Sequence, residues 1–230
     1  MNELFLSSAT IGVAISLLAY QFGVFLKNKT KQAFLNPLLV SIILVIAFLL
    51  IFKIDYESYN QSAKYLSYLL TPATVSLAIP LYEKLDLLKK HFVAIIIGIS
   101  SGVLASLLSI LAMAMLFGLG HAEYVTLLPK SITTAIGIGI SEELGGYVSI
   151  TATAIIITGI LGNMIGEITC KLFRIKHPIS RGLAIGTSSH AIGTSKAMEL
   201  GQIEGAMSSL SIVVSGLLTV VLASVFAMFI

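Results

Sequence analysis

Charge is the first thing this sequence has little of. Charged residues make up 11% of its 230 positions against 57% hydrophobic, so a soluble domain of this length could not cover its apolar surface. The net charge of +3 leaves no nucleic-acid footprint, and nucleic acid is not expected as a partner. A single cysteine, Cys170, excludes an internal disulfide framework and reads as a buried apolar filler rather than a reactive thiol. HExxH, GxSxG, Walker and CxxC motifs are all missing, and the four histidines lack metal-ligand spacing. Neither an enzyme nor a bound metal or cofactor is expected. The N-terminal apolar stretch is preceded only by Glu3, without a basic n-region or a small-residue cleavage site, which predicts a retained helix and not a signal peptide.

What the chain does have is long apolar sequence, with a mean hydropathy of +0.99. Hydrophobic runs fall near 4–26, 37–52, 62–82, 92–118, 125–140, 147–173, 178–197 and 205–230. At about 20 residues per crossing, that is roughly seven or eight segments with short loops. The expectation is an all-α, polytopic integral membrane protein forming one transmembrane domain over 1–230. Asn36 before Pro37 is a start signal, a capping amide followed by a proline whose missing N–H costs nothing in the first turn.

Basic residues cluster in three loops: Lys27, Lys29 and Lys31; Lys84, Lys89 and Lys90; and Lys171, Arg174, Lys176 and Arg181. The positive-inside rule puts all three on the cytoplasmic side. Three hydrophobic runs separate the second loop from the third, so one of them must leave on the side where it entered. The run 125–140 is the candidate, being short and containing Pro129, Lys130, Gly137 and Gly139.

A polar, glycine-punctuated core also recurs inside the apolar sequence. Residues 71–80 read TPATVSLAIP, 128–137 LPKSITTAIG and 184–193 AIGTSSHAIG, with Ala78, Ala135 and Ala191 spaced 57 and 56 apart. The run 178–197 is interrupted by Pro178, Gly182, Gly186 and Gly193 and starts from the opposite face to 125–140. Two broken segments entering from opposite faces predict an inverted pair whose half-helix ends meet near the midplane.

The candidate substrate-binding residues come from these cores. In the third they are Thr187, Ser188, Ser189, His190, Thr194 and Ser195; as a helix, Thr187, His190 and Thr194 share one face, and if the stretch is unwound around Gly186 and Gly193 its backbone N–H groups and hydroxyls converge on a cavity that suits an anionic ligand. His190 reads either as a substrate or proton-coupling group or as a core histidine joining two helices. Ser131, Thr133 and Thr134 from the second core, with Thr71, Thr74 and Ser76 from the first, would complete a polar cage; the competing reading is that such hydroxyls bond back to their own helices. Lys130 and Lys196 are candidate charge partners for a carboxylate, or snorkelling lysines. Asn163 and Glu167 stand four apart on one face, and Glu167 is placed to pair with Lys171. Gly98 with Gly102, and Gly162 with Gly166, are spaced for close helix crossing.

The motifs Asn36-Pro37-Leu38-Leu39, Tyr68 to Tyr82 (YLLTPATVSLAIPLY), Pro129 to Gly137 (PKSITTAIG) and Gly186 to Thr194 (GTSSHAIGT) resemble the LrgB/CidB/YohK family over essentially the whole chain. That resemblance implies a bacterial cytoplasmic (inner) membrane protein paired with a small LrgA/CidA-type membrane partner. It also implies two functional descriptions: antiholin-like control of murein hydrolase export and lysis, or transport of small carboxylates such as pyruvate or glycolate. Buried hydroxyls and helix breaks cost on the order of 1–3 kcal/mol each if unpaired, which favours a monocarboxylate carrier working by alternating access. The expected partners are the lipid bilayer, a small carboxylate, the LrgA/CidA-type protein and a second copy of the chain.

Overall fold

The computed structural model describes residue 8 and residues 10–30 and 35–230, with the side chain of Thr74 left out. Glu3, the start of the first expected run and Lys31 lie outside the described residues. The described residues form helices and no strands, as the composition leads one to expect. They divide into two compact units, residues 1–76 and 77–230.

In the first unit, α1 (Ile11–Thr30) packs on α2 (Pro37–Ile51) and α3 (Tyr56–Ala63). Asn36 starts α2 as its sequence predicts: its Oδ1 accepts from the N–H groups of Leu38 at 2.8 Å and Leu39 at 3.3 Å, with Pro37 in the first turn. Asp55 caps α3 in the same way. The backbone of α1 reaches α3 through Gly12, whose N–H donates to Ser62 Oγ at 3.0 Å. The expected run 62–82 is not one helix. It breaks into a 3₁₀ stretch (Lys64–Leu69), α4 (Leu70–Ser76) and α5 (Ala78–Glu83), and the division between the two units falls inside it.

In the second unit, α5 packs on α11 (Gln202–Phe226), which ends in a 3₁₀ turn at Ala227–Phe229. Next comes α6 (Leu85–Phe117), whose 33 residues would extend about 50 Å at 1.5 Å per residue. It kinks at His91, so Lys89 and Lys90 precede the apolar part. Ile95, Ile99, Val103, Leu107, Ile110 and Ala114 recur every three or four residues and are buried. They meet Tyr124, Leu128, Ile132, Met207 and Phe226 in the main core. The opposite face of α6 exposes Ile97, Leu104, Leu108, Met113 and Leu116. Large apolar side chains on both its buried and its exposed faces suit α6 to a membrane. Gly118, at φ 63°, ends α6 with Leu119 N–H donating to the Ala114 carbonyl at 2.9 Å, a close that needs the left-handed conformation glycine adopts freely.

The helices α7 (His121–Leu127) and α8 (Thr134–Glu143) are two pieces of one interrupted segment, joined by an irregular stretch at 128–133. Both pieces are tied to α9 (Val148–Leu172) by a knot of hydroxyls. Thr151 Oγ1 lies 2.9 Å from the Thr126 carbonyl and 2.6 Å from Ser141 Oγ, and Thr126 Oγ1 accepts from Tyr147 N–H at 2.7 Å. The last long helix, α10 (Pro178–Leu200), packs on α6, α9 and α11. Among the described residues four helices are long and apolar enough to cross a bilayer: α1, α6, α9 and α11 with its terminal turn. The helix α10 is long enough but carries Arg181, His190, Lys196 and Glu199.

Candidate functional site

The second unit holds an open cavity of about 1080 Å³ between α6, α9 and α10. Small residues create it. On α6, Ala94, Gly98, Ser101, Gly102 and Ala105 face the space where larger side chains would fill it. The two glycine pairs noted in the sequence bring α10 close on both sides. A Cβ on Gly102 would stand 2.7 Å from Thr187 Cγ2, and one on Gly162 would overlap the Ser189 side chain. Apart from Lys130, no charged side chain lines the cavity among the described residues.

The break in α10 falls at His190, with φ 42° and ψ −140° inside an otherwise helical run. That conformation is strained for any residue with a Cβ, by on the order of 1–3 kcal/mol. The imidazole is 3% exposed, and its Nε2 lies 3.0 Å from the Ile155 carbonyl of α9. A carbonyl only accepts, so Nε2 carries the proton. Two residues do the repair work around the break: Thr194 Oγ1 donates to the His190 carbonyl at 2.9 Å, so Ser208 Oγ, 2.7 Å away, donates to Thr194. With the helix broken at His190, the reading in which the three share one face of a continuous helix does not hold: Thr187 meets α6, His190 meets α9 and Thr194 meets α11.

His190 itself does not line the cavity, whereas the interruption between α7 and α8 reaches it through Lys130 and Ser131. Lys130 Nζ donates to Ser131 Oγ at 3.2 Å, and Ser131 Oγ lies 3.2 Å from Ser106 Oγ on α6. Thr187 lines the same cavity; it is 7% exposed and its Oγ1 has no hydrogen-bond partner. Ser106, Ser131 and Thr187 also border a void of about 10 Å³ against Ser215 and Thr219 of α11, room for about one water.

The remaining candidates are dispersed. Ser188 is exposed and bonds back to the Ala184 carbonyl at 2.8 Å, and buried Ser189 lies 3.0 Å from it. Both border the cavity. Thr133 and Thr134, half-buried at the start of α8, do not border it. Ser195 bonds to the Ile192 carbonyl at 2.7 Å and accepts from Asn163 Nδ2 at 3.0 Å, while Asn163 also donates to the Ile192 carbonyl at 2.8 Å. Lys196 is not at the cavity: it pairs with Glu167 at 3.1 Å and Glu199 at 3.3 Å, and Glu167 pairs with Lys171 at 2.7 Å. In the first unit Thr71 and Ser76 are exposed on α4, and Ser76 bonds to the Ala73 carbonyl at 2.6 Å. The Thr74 side chain lies outside the described residues.

Sequence reading misses Ser101, Ser106, Ser109 and Thr158, which line the cavity, and the buried ion pair of Arg181 with Glu204 at 3.6 Å. A signal for the α6 serines is present: 101, 105, 106 and 109 carry small residues at helical spacing inside an otherwise large apolar run. Arg181 counts with a basic loop in the sequence, but it lies in the first turns of α10 with its guanidinium turned inward.

An all-helical membrane protein with a hydroxyl-lined cavity beside interrupted helices is thus the class. Within it, the chain belongs to the LrgB-like family, whose model matches residues 16–229. It is 40% identical over 220 residues, 95% of this chain and 96% of the relative, to antiholin-like protein LrgB of Bacillus cereus (strain B4264). Antiholin-like protein LrgB of Bacillus anthracis (strain CDC 684 / NRRL 3495) is similar to the same extent. No solved structure matches the chain. The resemblance read from the motifs is therefore a family membership. The relatives' name falls on the antiholin-like description, not on the carrier that the sequence reading prefers.

Proposed function

We propose that this chain is an antiholin-like membrane regulator, restraining murein hydrolase export and lysis together with a small LrgA/CidA-type membrane partner. The observation that carries this is its 40% identity, over nearly the full length, to proteins named antiholin-like protein LrgB. The proposal places the chain in the bacterial cytoplasmic membrane as a non-enzymatic, multi-pass domain over 1–230, with the basic loops on the cytoplasmic side and some seven or eight segments. The interruptions at 128–133 and at His190 support the two broken segments of an inverted pair. Apolar side chains exposed all along α6 and α11 support direct contact with lipid, and leave surface for a second copy or the small partner.

One observation favours a second reading, a carrier for small monocarboxylates such as pyruvate or glycolate. A cavity of about 1080 Å³ in the apolar bundle, bordered by Ser101, Ser106, Ser131, Thr158, Thr187 and Ser189, is more polar than a packing or oligomerising helix needs.

Proteoliposomes holding the chain, with and without its small partner, separate the two. Labelled pyruvate and glycolate uptake is measured beside release of a trapped neutral dye, and lysis is followed in cells expressing the pair. Delayed lysis that requires the partner, with no saturable uptake, is the expected result. Saturable uptake without dye release, lost in His190→Ala, Thr187→Ala, Thr134→Ala or Ser131→Ala while partner binding persists, would replace the regulator with the carrier.

A further inference from the structure

We infer that the cavity between α6, α9 and α10 seats an anionic phospholipid, its acyl chain lying along the walls and its phosphate held at the mouth by Lys89, Lys90, Arg174 and Lys176. The inference goes beyond both functional readings and depends on neither. It concerns the part of the cavity away from Lys130.

The cavity has a basic end and a hydroxylated end. Along α10 the contacts with α6 rise in number, from Gly98 at Leu183 to Gly102 at Thr187, whereas those with α9 fall, from Gly166 at Ile185 to Gly162 at Ser189, so the two walls run antiparallel. The α6 wall runs from Ala94 to Ser109 and the α9 wall from Thr158 to Cys170, which puts Ala94 and Cys170 at the same end. There Lys90 stands one turn before Ala94 with Lys89 beside it, and Arg174 and Lys176 flank the lining residue Ile175. All four cations are exposed, and none has a carboxylate in ion-pair range among the described residues, whereas Lys171, Arg181 and Lys196 each have one. Of the carboxylates on the walls and floor, Glu167 and Glu199 are paired with Lys196; Asp86, exposed at the start of α6, is left to offset the four. The mouth is therefore positive.

Cations clustered at the ends of membrane helices attract anionic headgroups, and the space behind these four adds room for a chain. At about 1080 Å³ the cavity lies just above the roughly 300–1,000 Å³ that holds a drug-sized ligand, far more than a headgroup or a small solute fills. Its walls are open along their length: the lining residues Ala94, Ser101 and Ala105 are exposed, as are Leu161 and Ile165 opposite them. One leaflet contributes half of a hydrocarbon core about 30 Å thick, so a chain of about 15 Å covers some ten residues of α6, from Ala94 to near residue 104. Over that span α6 offers Ala94, Gly98, Ser101 and Gly102, and Ser101 returns its hydroxyl to the Gly98 carbonyl at 2.8 Å. The cluster of Ser106, Ser131 and Lys130 begins where the chain ends. A helix from a partner would account for the open walls but not for four unpaired cations at one end.

The full chain is tested in phosphatidylcholine nanodiscs carrying a trace of phosphatidylglycerol with a photoreactive acyl chain, with and without the small partner. Adducts are mapped by mass spectrometry. They are expected on cavity residues such as Ile165 and Leu183, displaced by unlabelled phosphatidylglycerol far better than by phosphatidylcholine, and weaker as salt rises. Each of Lys89→Gln, Lys90→Gln, Arg174→Gln and Lys176→Gln should lower the preference for phosphatidylglycerol by up to about five-fold. Ala94→Phe, which fills the mouth from an exposed position, should remove most of the cavity adducts. Lys53→Gln, on the loop between α2 and α3, should change nothing. The four charge variants alter exposed side chains, so the test stands even if Ala94→Phe does not fold.

Equal displacement by the two lipids, adducts unchanged in all four charge variants, or adducts confined to outward residues such as Ile97 and Leu104 would overturn the inference. Equal displacement by glycerol phosphate, which has the headgroup's charge and no chain, would overturn it as well. So would loss of the adducts in the presence of the small partner, which would give the cavity to that protein instead of a lipid.

Discussion

Replacing His190 by glycine and by alanine should reverse the order these residues show in any ordinary helix. In a regular helix glycine is less stable than alanine by about 0.5–1 kcal/mol, because it has more conformational freedom to lose. At His190 the backbone sits at φ 42° and ψ −140°, where a Cβ costs on the order of 1–3 kcal/mol and glycine costs nothing. Both variants lose the imidazole and its 3.0 Å bond to the Ile155 carbonyl, so that loss cancels in the comparison. The difference that remains favours glycine by roughly 1 kcal/mol, worth about 2–4 °C for a unit of this size. The chain carries its own probe: Cys170 is the sole cysteine and is 3% exposed, so a thiol-reactive fluorophore labels it faster as the chain unfolds in detergent. His190→Gly melting above His190→Ala is the expected order. Alanine melting at or above glycine would refute the break as the strained element and return α10 to a continuous helix.

Other consequences can be checked by the same melting assay. Gly162→Ala sets a Cβ into the Ser189 side chain, so it should lower stability by about 1–3 kcal/mol, and Ser189→Gly in the same chain should restore most of it. Arg181→Met leaves buried Glu204 without its 3.6 Å partner and should cost roughly 3 kcal/mol; adding Glu204→Gln, which removes the stranded charge, should recover at least half. Equal melting of the single and double variants would show that the pair does not couple α10 to α11.

Much of the fold is legible in the sequence, since its causes are local. The start at Asn36 and Pro37 needs only a side-chain acceptor and a fixed φ within three residues, and it occurs as read. The interruption at 128–133 is readable from Pro129 and the polar residues after it, which cannot continue an apolar helix cheaply. The run 62–82 reads as one apolar segment carrying a helix-breaking core at 71–80, and it is interrupted there, while the particular short pieces it breaks into are a matter of backbone geometry that hydropathy does not report. The shared face of Thr187, His190 and Thr194 fails for a related reason: helical spacing holds only while the helix does, and His190 ends it.

Composition and spacing by themselves determined an all-helical membrane chain, its family motifs and some of the places where helices start or break, because burial in lipid, capping and proline chemistry act over a few residues. Only the tertiary structure decided which polar groups share a space. It brought Ser106 to Ser131 across 25 residues and Thr187 to the same cavity, and it paired Arg181 with Glu204. It also set Lys196 among carboxylates and left Lys130 with hydroxyls alone. Those assignments depend on how closely α6, α9 and α10 cross, a distance set by glycines meeting side chains on a neighbouring helix, so no pattern along one stretch of chain contains them.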